Sequence, residues 1–311
     1  MDGYIKPSIQ GKYWHAAISK LVTTNKIASN LWFVLRTKGL HYEIYYARIT
    51  LSYREVRIRM NIFDLHGKKA IVTGGSVGLG YAMAEGLHEA GCELAIIDIM
   101  DEVVDVAERL GSQGAKVHAV KGDLADRKSL KKSFDDCVEK LGGRLDILVN
   151  NAGIVKRHPA EEYPLEDWDQ VIEINLTAAF QLSQMAGRMM LKQGRGKIIN
   201  MASMLSYSGG IVVCAYAASK GAIAILTKAL GDEWASKGIN VNALAPGYMD
   251  TRLNSALIKD PTRNEQILSR IPAGRWGRPD DLKGPVVFLA SDASDYLSGA
   301  IIPVDGGYLA R

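Results

Sequence analysis

The stretch KAIVTGGSVGLG, Lys69 to Gly80, reads as a strand that runs into a glycine turn and then into a helix. Ala70, Ile71 and Val72 form an unbroken apolar run, the pattern of a strand buried on both faces. Gly74, Gly78 and Gly80 follow at the spacing of a phosphate-binding turn. One permits the tight turn, one lets a pyrophosphate approach the backbone, and one lets helix and strand pack closely. The helix, opening near Leu79, offers free N–H groups and a positive dipole end to that anion. Ser76 and Leu79 lie in the same turn and are assigned to the dinucleotide with the glycines.

Outward from this turn, apolar runs alternate with helical patterns. Runs at 92–99, 115–123, 145–153, 196–203, 239–247 and 299–307 read as further strands, with helical segments such as 101–113, 126–141 and 214–237 between them. This alternation predicts an α/β fold: a Rossmann-type, doubly wound parallel sheet in a single domain over 60–311. Asp98 ends the second run, 18 residues after Gly80. An acid there accepts bonds from both ribose hydroxyls and repels a 2′-phosphate. With Ile99 and Met100 beside it and Val77 in the turn, no cation is placed to welcome that phosphate. The cofactor expected is therefore NAD.

The net charge of +4 is unevenly spread. Residues 1–60 hold ten Lys/Arg and three Asp/Glu, a net of +7, which leaves 28 basic and 31 acidic residues, a net of −3, for 61–311. The basic excess gives no sign that the main body binds nucleic acid. Residues 1–59 also lack the strand–helix alternation. They are expected to be poorly ordered or foreign to the native protein, with translation beginning at Met60. Arg54-Glu55-Val56 is encodable as AGG-GAG-GTG, a purine-rich run like a bacterial ribosome-binding site. The alternatives are an acid-poor organelle-targeting segment or an appended interaction arm. LWFVL at 31–35 is too short to span a bilayer, so no membrane partner is expected. Cys92, Cys137 and Cys214 form no CxxC pair, which suits a reducing cytoplasm, and the six histidines show no metal-ligand spacing.

Tyr216 and Lys220 in YAASKGAIAILTKAL are four residues apart on a helical pattern and share one face. A free phenol titrates near pH 10, too high for a base at neutral pH, but an adjacent ammonium favours the phenolate. Ser203 ends the run GKIINMAS, at the carboxyl edge where ligands bind in open α/β folds.

These motifs, with Asp123 of GDL, NNAG (150–153), Asn175, PG (246–247) and Thr251, occur in order along the chain. From about Phe63 to Arg311 the sequence resembles the short-chain dehydrogenase/reductase family. The resemblance implies roles. Tyr216 is the general acid/base, Lys220 lowers its pKa and holds the nicotinamide ribose, Ser203 orients the reacting oxygen, and Asn175 holds a proton-relaying water. Asp123 and Asn151 line the adenine side, Thr251 reaches the nicotinamide carboxamide, and Leu124, Ala152, Gly153, Pro246 and Gly247 also belong to the cofactor site. The family also implies a homotetramer. A non-catalytic dinucleotide-binding scaffold is the competing class, and the full Ser203–Tyr216–Lys220 set argues against it.

The segments INMASMLSYSGG, APGYMDT, RIPAGRWGRPDDLKGPVVFLASDASDYLSG and VDGGYLAR resemble the sugar-acid dehydrogenases of that family. They imply a 2-dehydro-3-deoxy-D-gluconate or 2-deoxy-D-gluconate substrate, with gluconate as the neighbouring alternative. A carboxylate calls for a cation, preferably the planar fork of arginine. Arg157 in GIVKRHP and Arg252 after PGYMDT are the candidates, with Met204 and Tyr207 as pocket wall.

Overall fold

The computed structural model describes residues 62–310. The segment 1–59 and the start expected at Met60 lie outside the described residues. A single sheet holds seven parallel strands: β1 Lys69–Thr73, β2 Glu93–Asp98, β3 Val117–Lys121, β4 Ile147–Asn150, β5 Gly196–Met201, β6 Ile239–Pro246 and β7 Ile301–Val304. Nine helices accompany them among the described residues: α1 Gly78–Glu89, α2 Val103–Gly111, α3 Arg127–Lys140, α4 Leu165–Ile172, α5 Ala178–Gln193, α6 Cys214–Trp234, α7 Ser255–Lys259, α8 Pro261–Leu268 and α9 Lys283–Ala290. All seven expected strands are present, trimmed where their apolar runs meet a turn.

The spatial order is β3-β2-β1-β4-β5-β6-β7. The chain works outward from β1 to β3, then crosses back to lay β4 against the other side of β1. That reversal opens a crevice at the carboxyl ends of β1 and β4, where ligands bind in such sheets. Successive side chains of a strand face opposite ways. Val72, Ile96, Val149, Ile199 and Leu244 pack against α1, α2 and α9. Ile71, Ile97, Leu148, Ile198 and Val241 pack against α3, α5 and α6. Each is at most 1% exposed, and full burial of such a side chain stabilises by roughly 1.5–3 kcal/mol. The catalytic edge therefore rests on a core closed on both faces.

Two local features were not anticipated. α4 and α5 are joined through a wide π-helical turn, Glu173–Thr177, which carries Asn175. The segment after β6 is a helical excursion whose base is pinned by backbone pairing: Asp250 N–H donates to Gly277 (2.7 Å) and Gly277 N–H donates to Tyr248 (2.9 Å). Within it, Asp260 caps α8 by accepting from the N–H groups of Thr262 and Arg263, with Pro261 at the first helical position. Among the described residues no helix is long and apolar enough to cross a membrane.

Candidate active site

The glycine turn is shaped by backbone contacts. Gly74 and Gly78 have φ of 64° and 59°, in the left-handed region that favours glycine. A Cβ on Gly80 would lie 2.0 Å from the Gly74 carbonyl oxygen and 2.4 Å from Asn151 Nδ2. Asn151 holds the turn from across the crevice, its amide donating to the carbonyls of Thr73 and Gly74, both at 2.9 Å. Thr73 Oγ1 in turn accepts from the N–H groups of Asn151 and Ala152. The NNAG turn and the glycine turn thus form one hydrogen-bonded unit.

α1 begins at this unit with no side-chain cap and no acidic residue in its first turn. Its first residues, Gly78 to Gly80, line the crevice, and the buried Ser76 hydroxyl has no partner among the described residues. An uncapped helix end beside left-handed glycines fits a pyrophosphate. At the end of β2, Asp98 accepts from Ser76 N–H (3.0 Å) and Met100 N–H (3.1 Å). This fixes the carboxylate and leaves it lone pairs for further donors. Asp123 accepts from Ala125 N–H at 2.8 Å.

All the expected site residues except Ser76, Asn175 and Tyr207 line one cavity of about 1140 Å³ along the carboxyl edge of the sheet. Ser76 lies behind the turn. Tyr207 is turned away, its hydroxyl donating to the Ile301 carbonyl at 3.0 Å. Asn175 is 2% exposed. Its amide donates to Ile154 O (2.9 Å) and Ser219 Oγ (3.1 Å) and accepts from Ile154 N–H (2.8 Å). That side chain ties the loop after β4 to α6.

Tyr216 and Lys220 stand one turn apart on α6, the ammonium 5.6 Å from the centre of the phenol ring. Ser203 enters from the end of β5 and lines the cavity with Tyr216, its hydroxyl favouring the phenolate. It also caps a short turn by accepting from Leu205 N–H. The Ser206 hydroxyl donates to the Lys220 carbonyl at 2.7 Å and locks this turn to α6. Lys220 Nζ donates to the Met201 carbonyl at 2.6 Å. Burial pushes Lys220 down to about 8. Burial also raises the Tyr216 phenol above its ordinary value, and the Ser203 bond and the charge of Arg157 only partly offset this. The partly buried ring loses more hydration as phenolate than its neighbours return, and the Lys220 ammonium is directed at a carbonyl.

Four arginines line the cavity: Arg157, Arg252, Arg263 and Arg270. Among the described residues the only acids in its lining are Asp98 and Asp123, both on the β2–β3 side. Arg263 and Arg270, with Tyr248 and Tyr308, escaped the sequence reading. Arg270 and Tyr308 lie inside segments that were quoted only for their likeness to other enzymes. Val212 also lines the cavity with φ of 58°, and its carbonyl accepts from His158 N–H at 3.0 Å. A β-branched residue there carries strain of about 1–3 kcal/mol.

Residues 74–309 match the family model described as enoyl-(acyl carrier protein) reductase. This chain belongs to the short-chain dehydrogenase/reductase family. The 2-dehydro-3-deoxy-D-gluconate 5-dehydrogenase of Dickeya dadantii is 48% identical over 253 residues, 81% of this chain and 99% of that one. A solved structure from Agrobacterium tumefaciens, described as a 2-deoxy-D-gluconate 3-dehydrogenase with bound NADP, is 48% identical, with a TM-score of 0.74, over 81% of this chain and 100% of that one. The gluconate 5-dehydrogenase of Burkholderia cenocepacia, solved with NADP and tartrate, is 38% identical with a TM-score of 0.78, over 81% of this chain and 99% of that one. Like them, this short-chain dehydrogenase/reductase is an oxidoreductase built for a nicotinamide dinucleotide.

Proposed function

We propose that this chain interconverts a sugar acid and its keto form, with 2-dehydro-3-deoxy-D-gluconate as the substrate, reacting at C5. The observation that carries the reading is the charge of the cavity. Its acids stand on one side, and four arginines surround the rest together with the Ser203–Tyr216–Lys220 set. An arginine-rich wall away from those acids selects anions, and the names of the similar enzymes supply the class of anion. Gluconate 5-dehydrogenase activity is the nearest alternative, favoured by the Burkholderia relative.

A nicotinamide dinucleotide, when bound, supplies the hydride acceptor or donor. Gly74, Gly78, Gly80 and the start of α1 would hold its pyrophosphate. Asp98 would hold the adenosine ribose, Asp123, Leu124 and Asn151 to Gly153 the adenine side, and Pro246, Gly247 and Thr251 the nicotinamide end. Tyr216 takes the proton from the substrate hydroxyl during oxidation and returns it during reduction. Ser203 holds the same oxygen, and Lys220 biases the phenol toward its charged form once a positive ring lies near. Asn175 keeps the loop after β4 in place beside them.

Our reading of the cofactor is NAD, because the Asp98 carboxylate is fixed where a 2′-phosphate would have to sit. NADP is the second reading, since the two solved relatives described above carry it. We further read the enzyme as a cytoplasmic homotetramer. Phe180 on α5 and Ile225 on α6 are 41% and 64% exposed, apolar side chains that a partner would cover. A panel of sugar acids followed at the absorbance of the reduced nicotinamide, with NAD and with NADP, tests the substrate and cofactor readings together. Turnover of a keto-deoxy-gluconate is expected. Turnover confined to uncharged alcohols would contradict the assignment.

A further inference from the structure

The cavity contains a second cluster that the proton chemistry does not use. α8 and the turn after it bring Arg263 and Arg270 to the cavity wall, and the end of the chain brings Tyr308 against them. The Arg270 guanidinium lies 4.4 Å from the centre of the Tyr308 ring. That ring is 7% exposed and packs with Met204, Ile267 and Ile271. Tyr248 meets it edge-on at 5.5 Å. A guanidinium stacked on an aromatic face is held in place while its in-plane N–H donors stay available. The arginines ion-paired to carboxylates among the described residues are Arg127, Arg144, Arg195 and Arg275, none of them in the cavity lining.

Position separates this cluster from Arg157. Arg157 follows β4, whose neighbour β5 leads to Ser203, and its charge favours the Tyr216 phenolate. The charges of Arg270 and Arg263 act on Tyr308, which packs on Met204, the residue after Ser203. A gluconate-type acid that reacts at C5 carries its carboxylate at C1, the far end of the carbon chain. Its countercharge must therefore stand away from the Tyr216 hydroxyl.

We infer that Arg270, steadied by Tyr308 and assisted by Arg263, binds the substrate carboxylate, and that Arg157 acts instead at the reacting end. This rests on the reading of the chain as a sugar-acid dehydrogenase. Its test is the steady-state kinetics of wild type, Arg270→Gln and Arg157→Gln on the preferred sugar acid and on its C1 alcohol analogue. Both side chains are exposed, so both variants should fold. Arg270→Gln is expected to raise KM for the acid by about 10-fold to 100-fold, the worth of one charge-assisted bond, with KM for the analogue and kcat within about twofold. Arg157→Gln is expected to change kcat and its pH profile on both compounds. An unchanged KM for the acid in Arg270→Gln overturns the assignment alone, as does an equal rise on acid and analogue. A wild type idle on every sugar acid overturns the functional reading and this inference with it.

Discussion

At the β1–β4 crevice the fit is made by backbone: two glycines at positive φ, a third with a carbonyl 2.0 Å from where its Cβ would be, and the Asn151 amide clasping the turn. Around α8 the wall is made by side chains. Arg263, Arg270, Tyr248 and Tyr308 come from three separate segments, and both arginines are exposed. The first region admits almost no variation, because hard-sphere contacts dictate its residues. The second can change its residues without disturbing the fold. One fold can thus keep its cofactor while relatives differ in what they oxidise.

The largest effect is expected between the two regions, where they share the reacting atoms. Tyr216→Phe should lower kcat by about 10²–10⁴-fold and leave binding of reduced cofactor, read by fluorescence, nearly intact. Retention of more than half the wild-type rate would remove Tyr216 from the chemistry. Gly80→Ala should strike the rigid region alone. Its added methyl displaces the turn, and cofactor affinity should fall by about 10²-fold, the scale of a 1 Å misplacement. Affinity close to wild type would mean that the turn is softer than its contacts imply.

The same contrast governs what the sequence revealed. The glycines, Asp98, Ser203, Tyr216 and Lys220 were legible because spacing along a strand or helix fixes where they point. The seven strands were legible from unbroken apolar runs for the same reason. Tyr207 and Asn175 show the limit. The sequence puts them near the site, but a hydroxyl bonded to Ile301 and an amide bonded to Ile154 and Ser219 are tertiary outcomes. Arg270 on Tyr308 is likewise a contact across 38 residues that no local pattern announces. The desolvation that raises the Tyr216 phenol is likewise a tertiary effect that no local pattern announces.

Asp98→Ala sharpens the comparison from the cofactor side. Loss of one charge-assisted bond and of the repulsion of a 2′-phosphate should move the NAD/NADP ratio of kcat/KM toward NADP by about 10-fold or more. An unchanged ratio would relieve Asp98 of that role. The smallest effects are in pH. With the phenol raised, kcat/KM for oxidation should climb with alkalinity, since it needs phenolate, while that for reduction holds at neutral pH and then declines. For Lys220, the folded value of about 8 lies below the ordinary 10.5. The unfolded chain therefore binds more protons between those values, and stability should rise with pH across that window. Below about pH 8 the burial cost is present in full. Lys220→Met should abolish that rise in urea melts compared with wild type, and an identical slope in both would contradict the buried, destabilised ammonium.

The central claim is that side chains at one region read a carboxylate while backbone at the other reads a dinucleotide. Its most direct test is the wild-type ratio of kcat/KM for 2-dehydro-3-deoxy-D-gluconate and its C1 amide, identical except for the charge. The account predicts a preference for the acid of about 10-fold or more, the worth of a charge-assisted bond, diminishing as salt is raised. Equal efficiency on the two compounds at every salt concentration would contradict it.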